Sequence, residues 1–171
     1  MSRTNVIGLV FLFIVLVVLQ IGLFDKIHLF GYATPLLSIY FIIKLPARIN
    51  KSLLLIWAAF LGLTIDLFTG TLGLNLLACV VSAFLRPSIL KLFEPRDQLA
   101  NYLPSYISLG GQWMFIRYAV AMTLLHHFCI FTVETFVLFN LWNLILHIIA
   151  SAILTILLII ACESLHIDWL Q

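Results

Sequence analysis

The chain has 171 residues, 64% hydrophobic and 9% charged, with a mean hydropathy of +1.19. A soluble domain of about 150 residues leaves roughly 30% of its chain surface in water, so a water-soluble fold of this size cannot hide that many apolar side chains, and disordered chains are poor in the same residues. The composition therefore points to an all-α integral membrane protein, a single transmembrane domain over residues 1–171, built as a compact bundle of about six helices at about 20 residues per crossing. The net charge of +2 comes from nine Lys/Arg against seven Asp/Glu, too even a balance for a nucleic-acid surface.

The first predicted span is Val6–Phe24, ended by Asp25-Lys26. At about 19 residues it is too long for a signal-peptide core and no small-x-small cleavage site follows, so it reads as a retained anchor. The second, about Leu29–Leu45, contains Pro35 and ends at Lys44-Leu45-Pro46. The third runs about Ser52–Phe68 and carries Asp66; Thr69-Gly70-Thr71-Leu72-Gly73 separates it from the fourth, about Leu74–Leu92. The cytoplasmic loop, about Phe93–Gln112, is the only long polar connection and contains Pro95, Pro104 and Gly110-Gly111. The fifth span is about Trp113–Thr132. The sixth is placed at Trp142–Cys162, with the start of its apolar stretch from Phe136 lying along the interface.

Basic residues set the orientation. With the N-terminus inside, Arg3, Lys44, Arg48, Lys51, Arg86, Lys91 and Arg96 fall on the cytoplasmic side and only Lys26 outside, with Arg117 free to snorkel inward. Both termini are expected in the cytoplasm.

Asp66 is the most expensive residue in this scheme, since a carboxylate at the centre of a membrane helix costs about 2.5 to 3.5 kcal/mol on insertion scales. One reading has it cap the turn by accepting the backbone N–H groups of Thr69, Gly70 or Thr71. The other makes it a relay, a substrate contact or a partner anchor. Ala58, Gly62 and Asp66 share one helix face, where small residues admit a neighbouring helix, and Gly70 and Gly73 let the backbone reverse. A tight outward-facing hairpin of the third and fourth helices follows.

Two polar stripes at helical spacing complete the pattern: Asn75, Cys79, Ser82 and Arg86 on the fourth helix, and Asn140, Asn143, His147, Ser151 and Thr155 on the sixth. Such stripes bind helices to each other or line a solute cavity; packing is the favoured reading. His126, His127 and Glu134 are placed near the outer interface, in contact with water, a headgroup or another protein. Adjacent helical histidines diverge by about 100° and do not readily share an ion. Cys79, Cys129 and Cys162 read as packing residues. No metal motif, nucleophile elbow, phosphate loop or paired carboxylates occurs, so no enzyme, cofactor or small-molecule substrate is expected.

The run Leu45-Pro46-Ala47-Arg48-Ile49-Asn50, then Gly62-Leu63-Thr64-Ile65-Asp66-Leu67 and Gly70-Thr71-Leu72-Gly73-Leu74-Asn75, resembles the rod shape-determining protein MreD family. Gln20 and Pro35 also stand where that family tends to have them. The match covers about Pro35 to Pro87, and the loop 93–112 is longer than the family's pattern. Pro46, Arg48 and Asn50 correspond to the family's basic exit from the second span, and Asp66 with its glycines to its hairpin. The resemblance implies a non-enzymatic scaffold in the bacterial inner membrane. It would bind MreC through that protein's transmembrane segment and stalk, and act indirectly with the actin-like MreB, the RodA glycan polymerase and a penicillin-binding transpeptidase in peptidoglycan synthesis and cell shape.

The alternative is the substrate-binding subunit of a vitamin-type (energy-coupling factor) transporter, similar in architecture. There the stripes, through Ser82, Arg86, Asn143, His147 and Ser151, would enclose a vitamin that Asp66 or Glu134 contacts. A membrane enzyme acting on lipid-linked intermediates would need a catalytic constellation that the sequence does not display.

Overall fold

The computed structural model describes residues 3–22, 34–71, 73–95, 102–134 and 141–168, and among these every regular element is a helix. They are α1 (Arg3–Gly22), α2 (Ile39–Lys44), α3 (Lys51–Thr69), α4 (Leu74–Phe93), α5 (Gln112–Glu134) and α6 (Leu141–Asp168). Four segments are long and apolar enough to cross a membrane: Lys51–Thr69, Leu74–Phe93, Gln112–Val133 and Ile145–Ser164. The apolar part of α1, Ile7–Gly22, is shorter. The chain is a multi-pass helical membrane protein.

Helices α3 to α6 pack in succession, each against the next. The partners that meet across α4 and α5 (Ser82 with His126, Arg86 with Tyr118) and across α5 and α6 (His127 with Thr155, Phe131 with His147) run in opposite directions along the chain, so these neighbours are antiparallel. Helix α1 joins through aromatic contacts: the Phe13 ring lies 5.4 Å from Phe41, 6.0 Å from Trp57 and 5.3 Å from Phe60.

The predicted second span is corrected by the structure. Of its described residues only Ile39–Lys44 are helical; Thr34–Leu36 are not, and 29–33 lie outside the described residues. Proline explains the C-terminal limit: Leu45, which precedes Pro46, takes an extended conformation (φ −58°, ψ 149°), as pre-proline residues do. All six residues of α2 are buried, so this short helix is enclosed by protein on every side.

The described part of the connection between α4 and α5 packs against the core. Helix α4 persists through Phe93 and α5 begins at Gln112, while the described part of the connection turns back under the bundle. Tyr106 and Leu109 are buried there, the Tyr106 ring meets Phe115 edge-on at 5.1 Å, and the Tyr102 carbonyl accepts the Ala47 N–H at 2.8 Å.

Candidate functional site: buried polar contacts along the bundle

At the turn between α3 and α4, Gly70 (φ 73°) ends one helix and Gly73 (φ 78°) begins the next, both in the left-handed region that favours glycine. Asp66 sits in the last turn of α3, and its carboxylate reaches across to the start of α4. Oδ1 accepts the Asn75 backbone N–H at 3.0 Å, the Asn75 side-chain amide at 3.0 Å and the Thr71 hydroxyl at 2.7 Å; Oδ2 accepts the Leu76 N–H at 2.9 Å. The capping reading stands, but with different donors. The Thr69, Gly70 and Thr71 N–H groups are not the ones it meets: the Gly70 N–H bonds the Asp66 main-chain carbonyl, and Thr71 contributes its hydroxyl. The reason is electrostatic, since the second and third N–H groups of α4 have no partner in their own helix and carry the positive end of its dipole.

Ala58, Gly62 and Asp66 do share the buried face of α3. A Cβ on Gly62 would stand 2.5 Å from the Leu76 Cα and 2.7 Å from the Asn75 carbonyl oxygen, so only glycine permits this approach.

The stripe on α4 is also buried: Asn75, Cys79, Ser82 and Arg86 all face inward. Ser82 Oγ lies 3.2 Å from His126 Nδ1. His127 Nδ1 lies 2.9 Å from the Thr123 carbonyl, to which a neutral ring donates, leaving Nε2 to face the Thr155 hydroxyl at 3.2 Å. The two histidines thus turn to different helices and both are fully buried, which corrects their expected place at a wet outer interface. On α6, Ser151 and Thr155 hold the non-helical backbone that precedes α2. Ser151 Oγ accepts the Thr34 N–H at 3.0 Å, and Thr155 Oγ1 accepts the Leu36 N–H at 3.1 Å. Gln20 of α1 completes this clasp by donating to the Pro35 carbonyl at 3.2 Å and accepting the Ser38 N–H at 3.3 Å. His147 lies beside Phe131, with ring centroids 5.8 Å apart. Glu134 is the last residue of α5 and Asn143 lies within α6; their side chains, like all of Asn140, fall outside the described residues.

At the basic end of the bundle, Arg86 is fully buried and closes the C-terminus of α2. Its guanidinium donates to the Ile43 and Pro46 carbonyls at 3.3 Å each, to the Leu45 carbonyl, and to the Tyr118 hydroxyl at 3.1 Å. The Ile43 and Leu45 carbonyls are acceptors left open at the end of α2, and a planar five-donor group meets them together with the Pro46 carbonyl and the Tyr118 hydroxyl. The exit motif is therefore held from inside through Pro46. Arg48 faces outward and pairs with Glu94 at 3.0 Å, and Asn50 is the N-cap of α3 without a side-chain capping bond.

One buried group escaped the sequence reading. Glu163, one residue past the predicted sixth span, is fully buried against Lys44, with Nζ 2.9 Å from Oε2 and 3.1 Å from Oε1. The Tyr40 hydroxyl donates to Oε2 at 2.8 Å, and Lys44 also donates to the Pro104 carbonyl at 3.0 Å. The available signal was a lone carboxylate at the end of an apolar stretch, with a lysine that the same scheme had placed at the cytoplasmic end of the second span. Three parts of the fold meet at this point: α2, α6 and the connection after α4, which also reaches α6 through Tyr106 Oη on the Ile160 carbonyl at 3.4 Å.

No group of three or more metal-ligating side chains occurs among the described residues. No protein-family model matches the chain, nor does any curated protein or solved structure.

Proposed function

We propose that the chain is a non-enzymatic scaffold of the bacterial cell-elongation machinery, of the MreD kind, in the inner membrane with both termini cytoplasmic. The observation that carries this reading is that the resembling segment folds as one continuous clamp. Its exit turn is gripped by Arg86, its glycine face closes on α4, and Asp66 caps that helix. The unit is built for rigidity, and rigidity is what a scaffold that presents surfaces to a partner requires. Rows of large apolar side chains face outward beside it, including Phe11, Ile14 and Val18 on α1 and Ile56 and Phe60 on α3. They offer a lipid-level surface for the single transmembrane segment and emerging stalk of MreC, with MreB, RodA and a penicillin-binding transpeptidase in the same assembly.

The transporter alternative draws on the broken helix, because unwound segments near the middle of a membrane often bind solutes. Against it, the described backbone groups there are taken up by Gln20, Ser151 and Thr155, and each polar stripe bonds to a histidine of α5, Ser82 to His126 and Thr155 to His127.

A pull-down of the tagged chain in mild detergent or nanodiscs, with mass spectrometry of proteins and small molecules, separates the two. Recovery of MreC and wall-synthesis enzymes is the expected outcome. Recovery of an ATPase pair with a membrane coupling subunit, or of a bound vitamin, would replace the scaffold with the transporter. Asp66→Ala, if it accumulates normally yet loses MreC, assigns the hairpin tip a partner contact beyond its cap.

A further inference from the structure

Helices α3 and α4 form an antiparallel pair that is closed at one end and open at the other. Near the turn, Gly62 brings the backbones together. At the far end a cavity of about 170 Å³ separates them, with Leu54 and Leu55 on one wall, Phe84 and Leu85 on the other, and Lys51 and Ser88 at its polar edge. Pro87 lies within the wall from α4, where its ring removes a helix hydrogen bond.

We propose that this groove is a binding site for one anionic phospholipid, its acyl chain against the leucines and Phe84 and its phosphate on Lys51. Three observations select that occupant. The chain crosses a membrane, so the molecules abundant around this face are lipids. The groove is too small for a helix of about 10 Å diameter but accepts an acyl chain. Its charge is complementary among the described residues: Lys51 is exposed and has no ion-pair partner, exposed Lys91 adds to the potential nearby, and the described lining of the groove holds no carboxylate. By contrast, Arg48 is committed to Glu94 and Arg86 to backbone carbonyls. The site is independent of the scaffold reading, since it needs only the membrane and this helix pair.

Native mass spectrometry of the full chain tests it, with phosphatidylglycerol and phosphatidylcholine offered in equal amounts. The expected result is preferential retention of phosphatidylglycerol. Removing one lysine charge near the headgroup by Lys51→Gln should lower the ratio of the two lipids about fivefold. Ser88→Leu, which fills the polar edge, should reduce retention of both. Lys91→Gln, outside the groove, should change the ratio much less. Equal retention of the two lipids, or a ratio unmoved by Lys51→Gln, overturns the site. An equal drop in both lysine variants overturns it too, because the preference would then belong to diffuse surface charge. Thermal unfolding of each variant in phosphatidylcholine nanodiscs confirms that the fold is intact, and Lys51, being exposed, should leave it unchanged.

Discussion

Asp66 and Gly62 act on the same few atoms of α4 from opposite requirements. The carboxylate must reach the N–H groups of Asn75 and Leu76, and the glycine must let the helices come close enough for it to do so. Asp66→Ala removes the cap and leaves those donors unpaired, so a stability loss of about 1 to 2 kcal/mol is expected in detergent unfolding. Asp66→Asn should fall between, because an amide nitrogen placed at Oδ2 would face the Leu76 donor. Gly62→Ala forces the backbones apart and should lose about 1 to 3 kcal/mol. Gly8→Ala is the matched control: nothing stands within 4 Å of a Cβ there, and alanine in a helix is favoured over glycine by roughly 0.5 to 1 kcal/mol. If the two glycine variants unfold alike, the close approach at Gly62 contributes nothing.

At the scale of the element, α2 is the unusual case. Six residues make too short a helix to persist alone, and its stability comes from what surrounds it. The Arg86 fork takes the carbonyls at its end, and side chains of α1 and α6 take the backbone before its start. Arg86→Leu would leave three buried carbonyls without these donors, at about 1 to 3 kcal/mol each. Arg86→Lys should rescue little, because an ammonium is a single point and cannot span Ile43, Pro46 and Tyr118 together. Limited proteolysis of the segment after α2 reports this directly, and near-normal protection in Arg86→Lys would contradict the fork.

For the whole molecule, the Lys44–Glu163 pair joins residues 119 apart in sequence and fixes the last helix to the centre. A buried pair of this kind is costly to break from one side and cheap to replace from both. Lys44→Met or Glu163→Gln alone should each destabilise by about 3 to 5 kcal/mol when an unpaired charge is left behind. The double variant should lie closer to the parent than either single one, since the amide at 163 still offers Tyr40 an acceptor. A double-mutant cycle by thermal unfolding measures this coupling, and strictly additive losses would show that the pair does not act as a unit.

Local chemistry made much of the architecture legible in advance. Long apolar runs at lipid-spanning length placed α3, α4, α5 and α6 within a few residues, the two glycines marked the reversal, and the 3–4 spacing of Asn75, Cys79, Ser82 and Arg86 put them on one buried face. These properties depend only on neighbours within a turn or two, so they are written in spacing and composition. The tertiary structure decided the rest. Asp66 met its donors in the next helix, the two histidines turned inward to separate helices, the backbone of Thr34–Leu36 stayed non-helical before the short α2, and Glu163 found Lys44. A hydrogen bond or ion pair in the membrane depends on which helix faces meet, and residues more than a hundred positions apart carry no local sign of that meeting.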